Sequence, residues 1–316
     1  MTESSGTAKK SAWEPPALDL DAVKTGDMPG DKIRINQSHI DKANAAFPRL
    51  LTHLESRGSD RLVVSVYGGS GVGKSEIASL LGHYCGLTGF PAYVLSGDNY
   101  ARRVPMHNDQ ERLWTYRTGA LNVFALDSGF TDEGMRSLQL MWPEMADMNL
   151  SSEGEPAWMS VYRDAGLEAL TDYLGTEREI DFPMANAVIG SFKAGRDTIA
   201  LKRMGQTTED LRYENVDLSG IQVLIVEWTH GNNAFLEGID FPIFLFSTPE
   251  ETLAHRLSRG RDKNTDSPLI SRVLEIEHEK LISQVDSAAL ILSKDGEVLS
   301  PTDFPQRAGH TEGRQE

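Results

Sequence analysis

The sequence predicts an α/β fold: a mostly parallel five-stranded sheet with helices on both faces, a mainly helical insertion and a small hairpin. Three observations carry this expectation. Short apolar, β-branched runs alternate with segments of helical periodicity in both halves of the chain. Between the first such run and the first helix that follows it, residues 68–75 (Gly-Gly-Ser-Gly-Val-Gly-Lys-Ser) fill every fixed position of G-x-x-x-x-G-K-[ST]. From 103 to 196 the alternation is interrupted by a stretch rich in Trp, Met and acidic residues, with helical spacing only.

Taken in order, residues 1–35 are polar and punctuated by Pro and Gly, and read as a flexible N-terminal segment. Residues 36–300 read as one domain. Its first helix is marked over 38–56 by Ile40, Ala43, Phe47, Leu50, Leu51 and Leu54, with Pro48 placed to bend it. Strands are expected at 61–67, 91–96, 221–226, 241–246 and 288–293. The helix after the phosphate loop carries apolar residues over 76–85. The insertion shows helical spacing in 134–148, 157–173 and 182–192, and 198–203 with 210–216 flank a turn-prone stretch as a hairpin. Ser247-Thr248-Pro249-Glu250-Glu251 reads as a helix start running to about 258, and 269–286 as a further helix. Residues 301–316 are a polar tail.

Composition bounds the partners. The 316 residues carry a net charge of −16, which repels phosphodiester backbones and argues against nucleic acid. No apolar run approaches the ~20 residues that span a bilayer, and the N-terminus lacks a signal-peptide core, so a cytoplasmic, membrane-free protein is expected. The single cysteine, Cys85, excludes an internal disulfide framework and reads as a small buried hydrophobe. The sequence does not state the oligomeric state; a homodimer is compatible with it.

The chemistry is expected at the carboxyl ends of the strands. Gly68, Gly69, Ser70, Gly71, Val72 and Gly73 form a loop whose amides can cradle phosphates, against the competing reading of a glycine-rich turn with no ligand. Lys74 suits the β- and γ-phosphates of ATP, and Ser75 a Mg²⁺ ion. Asp98, just past the second strand, can orient and deprotonate an acceptor hydroxyl or bind metal through water; it can equally cap the next turn. Glu227 ends the third strand, where a carboxylate meets the Mg²⁺ hydration shell, or is simply a solvated strand end. Asn99, Tyr100, Arg102 and Arg103 follow Asp98 as acceptor-side candidates, although the arginines can equally pair with the insertion's carboxylates. His230 touches substrate or is a structural imidazole. Arg256, Arg259, Arg261 and Lys263 form a basic cluster suited to a lid, with Arg256 toward the nucleotide and Arg259 and Arg261 toward the transferring group; a solvated face is the alternative. Trp142, Trp158, Tyr162, Phe192 and Lys193 are expected to shape the acceptor pocket.

The residues 68–75, Asp98, 221–227 and the stretch from Phe246 to Asp262 resemble the uridine kinase and phosphoribulokinase family of P-loop NTPase-type proteins. That resemblance implies acceptor activation for the aspartate, metal-shell contact for the glutamate and a lid function for the arginines. Leu95-Ser96-Gly97-Asp98-Asn99-Tyr100 with Arg102 also looks like the Asp-Gly-Asp-Asn-x-Arg signature of adenylylsulfate kinases, with Ser96 in place of the first aspartate. The expected activity is a Mg²⁺-dependent ATP phosphotransfer to a hydroxyl of a small metabolite. Adenylylsulfate kinase proper is an alternative, and so is an ATP-driven switch acting on a protein partner.

Overall fold

A run of seven apolar or small residues, Leu62–Gly68 (β1), is buried along its whole length, as a central parallel strand must be when both sheet faces are covered. The computed structural model describes residues 13–300, except 59, 128, 150–153, 206, 249–250 and 254–266, together with 302 and 304. The other strands are β2 (Ala92–Ser96), β3 (Thr198–Arg203), β4 (Arg212–Asp217), β5 (Val223–Glu227), β6 (Phe241–Leu245), β7 (Leu290–Leu292) and β8 (Val298–Leu299). The main sheet has the order β2-β5-β1-β6-β7-β8. Its first five strands are parallel, as expected; the sixth, a two-residue strand paired antiparallel to β7, was too short to leave a periodic signal. β3 and β4 pair as the expected antiparallel hairpin.

One face of the sheet is covered by α1 (Gln37–Arg57) and α2 (Lys74–Leu87), whose Phe47, Leu50, Ile77 and Leu81 pack with Val64, Val66 and Ile225. Pro48 lies inside α1 without ending it. Cys85 is buried in this core, and burial pushes its thiol up to about 12. The other face is covered by α6 (Phe182–Lys193) and the β3–β4 hairpin, around Val63, Leu224 and Val226. Thus α6, expected as part of the insertion, is a layer of the sheet itself.

The insertion proper consists of α3 (Pro105–Phe124), α4 (Asp132–Met141) and α5 (Ala157–Thr171). Their core, including Tyr116, Phe124 and Tyr162, is shared with Leu269, Val273 and Ile276 of α7 (Pro268–Ile282). The long α3 carries few buried apolar positions and was not visible as a periodicity. The helix expected over 134–148 ends at Met141, because Pro143 removes an amide and Met145 turns left-handed (φ 54°), leaving two short 3-10 turns. The helix expected from 247 to 258 lies largely outside the described residues.

Residues 13–36, read from sequence as loose, contain only a 3-10 turn yet pack on the core. Trp13 lies 4.8 Å from the Phe47 ring, and Val23 is buried. Asp27 accepts from Ser96 N (2.7 Å) and Asn99 Nδ2 (3.2 Å) through one oxygen, and from Arg203 (2.7 Å) and Tyr93 Oη (3.1 Å) through the other. Burial pushes this carboxyl above its usual range despite those donors. Removing it would leave the Arg203 guanidinium, itself 7% exposed, with only the more exposed Glu214 (3.0 Å) as counter-charge. Asp27→Ala is therefore expected to cost about 3 kcal/mol or more of stability in urea denaturation; a loss below about 1 kcal/mol would show that the cluster does not fasten the segment.

Candidate functional site

The glycine-rich loop leaves the carboxyl end of β1 and runs into the N-terminus of α2. Gly73 caps that helix at φ 91°, a conformation open to glycine, and a Cβ there would stand 2.8 Å from Nε2 of His39. His39 is fixed in turn by a reciprocal cap with Asn36 at the start of α1, so a second helix end buttresses the loop. Lys74 Nζ donates to the Gly69 carbonyl at 2.8 Å. The arrangement is a run of backbone amides at a helix N-terminus, with a cation beside it, which is what a polyphosphate requires.

Glu227 ends β5 directly opposite Ser96 of β2 and Val66 of β1. One carboxylate oxygen accepts from Ser96 Oγ at 2.7 Å and the other from Ser75 Oγ at 3.2 Å. Burial raises its pKa to about 7, with Asp98 adding to the rise and Lys74 and the two hydroxyls opposing it. The Ser75 hydroxyl and a Glu227 oxygen thus form a pair of hard oxygen donors beside the loop, fitting a Mg²⁺ that keeps waters and phosphate oxygens as its other ligands. Among the described residues no cluster of three or more His, Cys, Asp or Glu could hold an ion by itself. A metal here would depend on the nucleotide's phosphates.

Two residues past Ser96, Asp98 lies in a 3-10 turn (Gly97–Tyr100) and lines a cavity of about 570 Å³ together with Ser70 of the loop. Gly97 permits the turn's position: a Cβ would fall 2.0 Å from Cγ of Trp228. The cavity's other walls come from 28–31, the start of α3, Glu179, Met204 at the hairpin, residues 228–230 and α7.

The remaining sequence candidates divide. Arg103 and His230 line the cavity. Arg103 donates to Tyr173 Oη (3.0 Å) and Glu111 (2.9 Å), and burial pushes His230 down to about 4, so its ring is neutral at pH 7. Arg102 turns outward to the Glu177 carbonyl at 2.5 Å and to Asp181 at 3.8 Å. Asn99 and Tyr100 are fully buried and off the cavity wall. Asn99 bridges Asp27 to the Met204 amide (2.9 Å), and Tyr100 packs in the core beneath Trp228. Lys193 pairs with Asp240 (2.8 Å), which also accepts from Val63 N at the amino end of β1, so it belongs to the opposite edge of the sheet. Trp142, Trp158, Tyr162 and Phe192 likewise do not line the cavity: they pack within their own helical layers, as apolar residues at helical spacing do. Arg256, Arg259, Arg261 and Lys263 lie outside the described residues.

Sequence reading missed a charged cluster inside the cavity. Arg112 of α3 meets Glu179 at 2.8 Å and Glu277 of α7 at 3.5 Å. Glu179, 1% exposed, also accepts from Gly175 N at 2.7 Å. Burial raises Glu277 to about 7, Arg112 opposing the rise and Glu179 adding to it. Nothing in the spacing marks three charged residues from three separate segments as neighbours.

Comparison with protein-family models gives no match. Among curated proteins, the chain is 36% identical over 261 residues to a bifunctional alpha-galactosidase/sucrose kinase of Mediterraneibacter gnavus. The match takes in 83% of this chain but 23% of that protein, so the chain spans less than a quarter of its relative's length. Among solved structures, it is similar to one described as a possible uridine kinase from Bacillus stearothermophilus, at 15% identity over 79% of this chain and 97% of that one, with a TM-score of 0.39. It is also similar to D-glycerate 3-kinase from Cryptococcus neoformans, at 13% identity over 84% and 98% of the two chains, with a TM-score of 0.42. By its own loop, strand order and flanking helix the chain is a P-loop protein.

The raised Glu277 gives a pH signature. A carboxyl lifted from 4.5 to about 7 contributes stability that is complete below about pH 4.5 and lost as pH climbs through about 7. Glu277→Gln is therefore expected to gain on the parent protein between pH 5 and pH 8, by on the order of 2 kcal/mol in urea midpoints converted to free energy. A difference that stays constant with pH would contradict the burial argument.

Proposed function

We propose that this P-loop chain is an ATP-dependent kinase that moves the γ-phosphoryl group to a hydroxyl of a small metabolite. A sugar is the acceptor class supported by the relative whose name includes a sucrose kinase. The observation that carries the reading is that Asp98 and Ser70 line one cavity, so a carboxylate and the phosphate loop open on the same space. Phosphoryl transfer depends chiefly on positioning and charge stabilisation, and a shared enclosed site supplies both.

In this reading the amides of 69–75 and Lys74 hold the β- and γ-phosphates. Ser75 and Glu227 would hold Mg²⁺, which when bound supplies positive charge against the phosphate oxygens. Asp98 accepts the hydrogen bond of the acceptor hydroxyl, aligns its lone pair with the γ-phosphorus and takes the proton as the new P–O bond forms and the bond from the γ-phosphorus to the bridging oxygen breaks, ADP leaving with the electron pair. Arg256, Arg259 and Arg261 are proposed to close over the transferring group, on the sequence argument alone. Trp228 and the walls around it exclude water, which would otherwise compete as acceptor.

Lys74→Ala is expected to abolish transfer, by about 1,000-fold or more in kcat, with circular dichroism and melting temperature near those of the parent. Asp98→Asn is expected to lower kcat by about 100-fold while leaving the KM for ATP within about threefold. Both are read by ADP release with mass identification of the phosphorylated product. Equal losses in kcat and ATP affinity for Asp98→Asn would remove the base role, and ATP consumption that needs a protein partner but no acceptor would favour a switch.

A further inference from the structure

Six charged residues of the cavity wall, Asp31, Arg103, Asp109, Arg112, Glu179 and Glu277, have no part in phosphoryl transfer itself. The described lining contains five carboxyl groups, those of Asp31, Asp98, Asp109, Glu179 and Glu277, the last only partly ionised at pH 7, and two guanidiniums, those of Arg103 and Arg112. Both guanidiniums already face carboxylates: Arg103 meets Glu111 at 2.9 Å, and Arg112 meets Glu179 at 2.8 Å and Glu277 at 3.5 Å. His230 adds no positive charge at neutral pH.

An acceptor bearing a carboxylate, phosphate or sulfate would meet like charge on these walls, or would have to draw a guanidinium away from its partner. A polyol meets the reverse situation. Carboxylate oxygens accept from its hydroxyls, guanidinium N–H groups donate to them, and Trp228 offers apolar surface to its C–H groups. Glu179 is held in place by Gly175 N and Arg112, and Arg112 is held from both sides, so the wall is preorganised.

Granting the transfer reaction proposed above, we propose that the acceptor is a neutral polyol carrying no ionised group, and that Arg112, Glu179 and Glu277 determine specificity by hydrogen-bonding its non-reacting hydroxyls. The described lining therefore favours a neutral acceptor over adenylylsulfate, glycerate or a sugar phosphate. Glu277 is the member reached from α7, the helix that also supplies Ile270, Val273 and Leu274 to the wall. Its substitution alters recognition without touching the phosphate loop.

The test uses the full chain with ATP and Mg²⁺ and acceptors in matched pairs: a hexose and its uronic acid, glycerol and glycerate, a disaccharide and its monophosphate. The neutral member of the productive pair is expected to lead by roughly 100-fold in kcat/KM. Glu277→Gln is expected to raise the acceptor KM roughly tenfold with the KM for ATP unchanged, since about one hydrogen bond to the acceptor is weakened. Asp31→Lys, which adds a cation without entering the buried cluster, is expected to narrow the neutral-to-anionic ratio roughly tenfold. An anionic acceptor used as well as its neutral counterpart overturns this inference and leaves the kinase reading standing. So does an unmoved acceptor KM in Glu277→Gln together with an unmoved ratio in Asp31→Lys. A protein that binds ATP and transfers to neither member of any pair overturns the kinase reading, and this inference with it.

Discussion

The carboxylate of Glu227 is the point at which three elements are tied together. Burying such a group costs several kcal/mol unless hydrogen bonds replace its water, and here two hydroxyls do so, Ser96 from β2 and Ser75 from α2. The parallel register makes this available: Ser96 and Val66 stand on either side of Glu227, one on each neighbouring strand. A shift of one residue in either pairing would turn the carboxylate toward the opposite face of the sheet. The same register sets Asp98 two residues beyond Ser96, at the cavity that Ser70 also lines. The loop, the Ser75–Glu227 oxygen pair and Asp98 are thus positioned by a single alignment of strands.

The rest of the cavity is assembled differently. Its walls come from parts of the chain distant in sequence: the N-terminal segment, the start of α3, the connection before α6, the hairpin and α7. Each is fastened by buried charge. Asp27 and Arg203 join the N-terminal segment to the hairpin and to the Asp98 turn, while Arg112, Glu179 and Glu277 join α3 to α7 across the cavity. The loop end depends on backbone geometry and hydrogen-bonded hydroxyls, and the rest of the cavity wall on ion pairs among long side chains.

This division explains what could be read from sequence. The loop, the five parallel strands and the hairpin are local patterns, and Asp98 and Glu227 stand out because they end apolar strands where sites of this fold lie. The charged wall does not stand out: Arg112 and Glu277 look like any polar residue on an amphipathic helix until the helices are packed. Lys193 was misread for the opposite reason. It lies near aromatic residues in sequence, but α6 runs along the sheet and delivers it to Asp240 at the amino end of β1. Asn99 and Tyr100 follow Asp98 directly, but proximity in sequence does not specify direction, and in a tight 3-10 turn successive side chains diverge. Trp142, Trp158, Tyr162 and Phe192 were assigned to a pocket, whereas their area is used for packing helices against each other or against the sheet.

Residues 27–31 have a consequence for where the working unit of this chain begins. The regular layers on the sheet start at α1, and a boundary drawn there by eye would keep every strand and long helix. It would also discard Asp27, the acceptor for the Ser96 amide, and the Met28–Asp31 rim of the cavity. Such a trimmed protein would retain the architecture of a phosphate binder with an unanchored, half-open vestibule. The minimal competent module is therefore longer than the minimal fold, and the difference is a stretch with almost no regular secondary structure.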